Sequence, residues 1–249
     1  MDSYASFEEE CAREITAQGC DVSLVRATRR WMDSANPRKY SYHFEWLGRP
    51  IIQYPQDILA MQELIWSIQP DLIIETGIAH GGSLVFSASM LELNAACGGP
   101  QGAEVLGVDI DIRTHNREAI EAHPMSRRIT MVQGSSIAPE IVEQVKAKTA
   151  GKRGVLVCLD SHHTHDHVLA ELQAYAPLTS VGSYCVVFDT IIEDMPAELF
   201  PDRPWGPGNN PKTAVWEYLK THSEFEIDRS IPHKLLITVA PDGYLRRTE

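Results

Sequence analysis

No stretch of the 249-residue chain stays apolar for long enough to cross a bilayer, and the opening Met1-Asp-Ser-Tyr-Ala-Ser-Phe-Glu-Glu-Glu10 is nothing like a secretory signal. A cytoplasmic protein with no membrane span is the expectation. Positive charge is scarce too: 22 Lys and Arg stand against 34 Asp and Glu, a formal net charge of -12. That balance argues against nucleic acid as a partner, because a phosphate backbone selects basic surfaces. Cysteines are few and scattered, at Cys11, Cys20, Cys97, Cys158 and Cys185. Their odd number, with two inside apolar runs, predicts reduced and mostly buried thiols rather than disulfides or a zinc site. There is no internal repeat and no low-complexity segment. The length suits one α/β domain with at most a helical extension.

What is present is an alternation of strand-like and helix-like stretches. Residues 1–39 read as a helical extension, broken near Gly19, with apolar residues at Cys11, Ile15, Val22, Val25 and Trp31 that must pack on the domain or on a neighbouring subunit. From Tyr40 to Asp57 the chain is aromatic and punctuated by proline, so irregular or an edge hairpin, and Asp57 is placed to cap the helix from Ile58 to Ile68. Strands then follow around Leu72 to Ile74, Glu104 to Asp111, Ile129 to Gln133, Gly154 to Asp160 and Gly182 to Asp189, with helices between them. This is the pattern of a doubly wound, mostly parallel sheet over residues 40–249. After a Pro/Gly-rich stretch, Phe200 to Pro211, that is long enough for a lid, a helix from Lys212 to His222 has Asn210 at its cap. Phe225 to Ser230 and Lys234 to Ala240 read as two last strands.

The organising stretch is Asp71-Leu-Ile-Ile-Glu-Thr-Gly-Ile-Ala-His-Gly-Gly-Ser83. A strand, a glycine turn and a new helix give a backbone that a ligand can approach closely and a set of unpaired N–H groups. The spacing is not the dinucleotide fingerprint Gly-x-Gly-x-x-Gly, and without Gly-Lys-Ser/Thr it is not a phosphate loop. Glu75-x-Gly77-x-x-x-Gly81 is instead similar to the turn of class I S-adenosylmethionine methyltransferases. A tight packing turn would carry the same glycines. Against that reading, Glu75, Asp109, Asp160 and Asp189 all fall at strand carboxyl ends, where ligands bind in such sheets. Asp109 can take both ribose hydroxyls of an adenosyl group, and Ser135 and Ser136 can wall the adenine.

The densest chemistry lies in Asp160-Ser-His-His-Thr-His-Asp-His167. The His-Glu-x-x-His arrangement of zinc proteases is missing, and although His163 and His167 have i, i+4 spacing, Thr164 looks like a helix cap, so the histidines straddle the helix start. Asp160 with Asp189 suggests a hard, oxygen-liganded cation such as Mg2+, which would hold a substrate diol and acidify a hydroxyl. A neutral His162 or His163 can then take the proton. His165 and His167 read as exposed surface residues, and a solvated polar loop remains the plain alternative for the whole stretch.

Several blocks resemble the cephalosporin hydroxylase-like family: Phe44 to Asp57, Met61-Gln-Glu63, Ile74 to Ser83, Asp160 to Val168, Gly182 to Thr190 and Pro207 to Val215. That family has the class I methyltransferase fold and includes rhamnosyl and other sugar O-methyltransferases as well as proteins of cephamycin methoxylation. The resemblance implies a donor site of Glu75, Gly77, Gly81, Ser83 and Asp109, with Thr76, His80, Gly82, Ser135, Ser136 and Asp160 around it, and a metal site of Asp160 and Asp189. It implies S-adenosylmethionine and Mg2+ as cofactors, a small-molecule or glycan acceptor, and a homo-oligomer. Related enzymes can carry an acidic pair where this chain has Phe188 before Asp189. The function expected is O-methylation of a hydroxyl on a rhamnose-like sugar or glycosylated natural product; the alternatives are a component of β-lactam methoxylation and a non-catalytic donor-binding scaffold.

Overall fold

The structure is a computed structural model that describes residues 3–249. Two helices, α1 (Ser3–Cys20) and α2 (Val22–Ala35), come first and are separated at Asp21, whose carboxylate accepts from the N–H groups of Ser23 and Leu24 and so starts α2. A short antiparallel hairpin follows, β1 (Phe44–Trp46) and β2 (Arg49–Ile51), then α3 (Pro55–Ile68). The sheet is laid down by β3 (Leu72–Thr76), α4 (Gly82–Ala96), β4 (Glu104–Asp109), α5 (Thr114–Glu121), β5 (Ile129–Gln133), α6 (Pro139–Thr149), β6 (Val155–Leu159), α7 (His165–Tyr175) and β7 (Tyr184–Val187). The chain ends with α8 (Pro211–Tyr218), β8 (Phe225–Ile227), α9 (Ser230–Leu235) and β9 (Tyr244–Arg247). Among the described residues no helix is long and apolar enough to cross a membrane.

Seven strands pair in the order β5-β4-β3-β6-β7-β9-β8. The first five are parallel, and β9 runs antiparallel to both β7 and β8. Strands β3 and β6 are buried along their whole length, which explains their continuous apolar runs: a parallel strand covered on both faces has no polar side to show. Alternate residues divide between two cores. Ile73, Val105, Leu156 and Val186 pack with Leu64, Ile65, Leu84 and Leu91 on one face; Ile74, Leu106, Val157 and Val187 pack with Val145, Leu172, Val215 and Tyr218 on the other. Each such side chain contributes about 2 kcal/mol on burial.

Three expectations from the sequence change here. Residues 234–240 form no strand: α9 covers Ser230–Leu235, Leu236 takes a left-handed φ of 61°, and the partner of β7 is Tyr244–Arg247. The backbone of the following segment is satisfied outside any ladder, with the Val239 N–H on the Asp57 carboxylate at 3.0 Å and the Val239 carbonyl accepting from Ile191 at 3.1 Å. Asp57 is therefore not a helix cap. It is fully buried and also accepts from the hydroxyls of Thr238 and Tyr244, which ties α3 to the C-terminal loop. Thr164 stands at the N-cap position of α7, as the sequence indicated, so His163 precedes the helix and shares no face with His167. Of the cysteines only Cys158 and Cys185 are buried; Cys11 is half-buried, and Cys20 and Cys97 are exposed.

Candidate active site

A cavity of about 770 Å³ lies over the carboxyl ends of β3, β4, β6 and β7. One wall is the turn after β3. Gly77 sits at φ +88°, and a Cβ there would meet the Asp160 carbonyl oxygen at 2.0 Å. The glycine is thus demanded by the neighbouring strand end, which it allows to close over the turn. Asp109 completes this wall: its carboxylate accepts from the N–H groups of Ile78 at 2.8 Å, Ala79 at 3.3 Å and Asp111 at 2.9 Å.

Of the residues expected at a donor site, Gly77, His80, Gly82, Ser83, Asp109, Ser135, Ser136 and Asp160 line this cavity. Glu75 and Thr76 lie buried behind them, and Gly81 backs onto Ile120. Glu75 accepts a hydrogen bond from the Ser83 hydroxyl. Burial pushes its carboxyl up to about 7 despite that bond, which pulls the other way. Between pH 4.5 and about 7 the unfolded chain releases this proton and the folded chain keeps it. Stability present below pH 4.5 is therefore lost as the pH rises through 7, by roughly 3 kcal/mol. Glu75→Gln keeps an acceptor for Ser83 and removes the titration. It is expected to melt with the parent protein near pH 4.5 and several degrees above it at pH 8; an equal offset at both pH values would refute burial as the cause.

The opposite wall carries the charge. Asp160, one residue past β6, and Asp189, past β7 at a left-handed φ of 56°, converge with His163 so that one ligand atom from each lies within 4.8 Å of the others. His163 Nε2 is 3.2 Å from Asp189 Oδ2. Burial first, then the charges of Asp189 and Glu75, hold the Asp160 carboxyl well above the usual carboxylate range. Two carboxylates and an imidazole pressed together in this way are relieved by a cation, so the residues present suit a divalent ion. His162 stands exposed at the rim; burial, then His167 and His163, lower its pKa and keep its ring neutral at pH 7.

The Pro/Gly-rich segment roofs this wall. Trp205 meets the rings of His163 and His162 edge to face at 4.9 and 5.4 Å, and the Arg203 guanidinium lies 5.2 Å from the Trp205 centroid. Asn209 accepts from the His165 N–H at 2.9 Å, and Glu193 accepts from the Gly208 N–H at 2.7 Å, which fixes the segment over the cavity. Asn210 makes a capping box with Thr213 at the start of α8. His165 and His167 are not surface residues. His165 Nδ1 pairs with the Thr213 hydroxyl at 2.8 Å, and His167 lines the cavity with Nε2 at 3.1 Å from both Ser136 Oγ and Ser161 Oγ. Beneath it Glu171 is wholly buried and accepts from Ser161.

Sequence reasoning missed His167, Arg203, Trp205 and the cavity lining from Asn36, Gln53 and Tyr54. The aromatic stretch was visible, but aromatic residues signal packing as readily as a site. The i, i+4 spacing of His167 and Glu171 was the one local signal for the buried pair.

The family model described as rhamnosyl O-methyltransferase/CmcI matches residues 38–248. The rhamnosyl O-methyltransferase of Mycobacterium bovis is 34% identical over 198 residues, covering 77% of this chain and 73% of the relative. A CmcI structure in its apo form superposes with a TM-score of 0.57 at 18% identity, covering 84% of this chain and 77% of that one. A CmcI structure with Mg and SAM gives a TM-score of 0.55 at 18% identity, over 84% of this chain and 78% of that one. At that identity these two superpositions establish the fold.

Proposed function

The chain belongs to the rhamnosyl O-methyltransferase/CmcI family, and on that footing we propose that it moves a methyl group from S-adenosylmethionine to a hydroxyl of a rhamnose-like sugar or glycosylated natural product. The observation that carries this reading is the convergence of Asp160, His163 and Asp189 on one edge of a cavity whose other wall is the glycine turn. A scaffold that only bound the donor would have no need to press two carboxylates and an imidazole together at a cost in stability.

S-adenosylmethionine, when bound, supplies a methyl group on a sulfonium. Glu75, Thr76, Gly77, His80, Gly81, Gly82, Ser83, Asp109, Ser135 and Ser136, with Asp160, form its site. Gly77 and the start of α4 offer close backbone approach and unpaired N–H groups. Asp109 takes a ribose hydroxyl with the carboxylate acceptor site left over by its three backbone donors. Asp160 and Asp189 would hold Mg2+, whose charge would lower the pKa of the acceptor hydroxyl. His163 accepts the hydroxyl proton, with His162 beside it at the rim. Most of the acceleration comes from alignment, as expected for an in-line transfer between two bound partners. The extension outside the matched residues leaves Phe7, Val22 and Val25 exposed, and a cytoplasmic homo-oligomer that covers them belongs to the same reading.

The test is transfer of an isotopically labelled methyl group from S-adenosylmethionine to rhamnosides and related glycosides, with Mg2+ and with a chelator. Labelled product that depends on the metal supports the reading; donor binding without transfer to any glycoside sinks the sugar acceptor. Trp205 offers a narrower check. Its ring forms the roof over His162 and His163, so Trp205→Ala is expected to raise KM for the acceptor about tenfold and leave KM for the donor within a factor of two. Equal rises in both would place Trp205 outside the acceptor end.

A further inference from the structure

The turn between β3 and α4 is an unusual piece of backbone. Gly77, Ala79 and Gly81 all adopt positive φ, at 88°, 46° and 81°, and Ala79 does so with a Cβ. A non-glycine residue in that region is strained and persists only where its surroundings hold it. The inner polar groups of the turn are held by Asp109, which takes the N–H groups of Ile78 and Ala79. The outward carbonyls are held by two residues that do not line the cavity. Asn116, from α5, donates Nδ2–H to the Ala79 carbonyl at 2.9 Å. Arg49, from β2, donates Nε–H to the His80 carbonyl at 3.0 Å and reaches the same oxygen through Nη2. Arg49 Nη2 also donates to Asn116 Oδ1 at 3.1 Å, which joins the two into one network.

Neighbouring geometry explains why the hairpin can reach the turn at all. Gly82 has no Cβ, and one built there would meet the Pro50 carbonyl oxygen at 2.2 Å. β2 therefore crosses directly over the start of α4 and brings Arg49 to the turn. Asn116 is 4% exposed, and both ends of its amide are used. A buried amide with its donor on a strained carbonyl and its acceptor on a guanidinium has little freedom to do anything else.

We infer that Arg49 and Asn116 are positioning residues for the methyl donor, acting only through the carbonyls of Ala79 and His80. This rests on the donor site assigned above to the Gly77–Ser83 turn. Without the network two carbonyls lose their partners and Ala79 relaxes toward the right-handed region. The cavity wall formed by Gly77, Ile78, Ala79 and His80 then loses its shape, and donor affinity falls while the acceptor and metal residues on the opposite wall are untouched.

The experiment compares wild type with Asn116→Asp and Arg49→Lys by calorimetric titration of S-adenosylmethionine and by steady-state methyl transfer. Asn116→Asp keeps an acceptor for Arg49 and removes the donor to Ala79; Arg49→Lys keeps the charge and removes the fork. Each is expected to raise the donor Kd and KM about tenfold, with kcat at saturating donor within a factor of two. Donor Kd and KM like wild type in both variants, with or without a fall in melting temperature, would overturn the inference. So would a fall in kcat at unchanged donor Kd. A wild-type protein that does not bind S-adenosylmethionine would overturn the donor-site reading itself, and the inference with it.

Discussion

Asp160→Asn is expected to lower kcat by about three orders of magnitude, equivalent to about 4 kcal/mol of transition-state stabilisation, and to raise the melting temperature of the metal-free protein at neutral pH. The two effects have one origin. Asp160 is half-buried beside Asp189 and Glu75, and desolvation with their charges holds its carboxyl well above the usual range. A carboxyl raised in this way contributes stability below its unfolded value that is lost as the pH rises, so at pH 7 the charge is a burden on the folded state unless a cation joins it. Asparagine removes the burden and with it one half of the cation site. The wall formed by Gly77 to Ser83 does not depend on this charge, so S-adenosylmethionine still binds. Melting curves in chelator, donor titration and turnover with Mg2+ check the three parts separately. Retained turnover would remove the metal from the reaction, and parallel loss of turnover and donor binding would recast Asp160 as a donor contact alone.

Much of this wall was legible in the sequence because it is written in local signals. β3 and β6 are buried on both faces, so their apolar runs stop at or within two residues of the strand end, and the first polar residue after each run marks the carboxyl end. Glu75, Asp109, Asp160 and Asp189 could therefore be assigned to one edge without knowing the strand order. What was not legible depends on partners distant along the chain. Asp57 looks like a helix cap when only its neighbours are considered; its hydroxyl partner Thr238 lies 181 positions away. The same bond explains the lost strand at residues 234–240. Alternating apolar residues there suggested a ladder, but the segment's backbone is tied to Asp57 and Ile191, and β9 takes the place beside β7. His167 was misjudged for a related reason. Its distance from Ser136, on the loop after β5, is set by how α7 docks on the sheet and not by its own sequence context.

His163 is the residue on which the chemistry turns, because its position permits two jobs. Nε2 lies 3.2 Å from Asp189 Oδ2 and within the same group of ligand atoms as Asp160, so it can serve as third ligand or as proton acceptor, but not as both with one nitrogen. Our reading assigns it the proton. Mg2+ is a hard ion that favours oxygen and keeps several waters, which leaves an imidazole free beside it, whereas softer divalent ions favour the nitrogen. His163→Ala is therefore expected to lower kcat between about a hundredfold and ten-thousandfold with Mg2+, the span usual for a lost general base. Donor Kd and the Mg2+ concentration for half-maximal rate should stay within about a factor of three. Rising pH should recover part of the rate as the acceptor hydroxyl ionises unaided. A large increase in the Mg2+ requirement, with kcat restored at high metal, would instead make His163 the third ligand. His162, neutral and 5.4 Å from the Trp205 ring centroid at the same rim, would then be the base, and His162→Ala would show the large loss of kcat with partial recovery at high pH in its place.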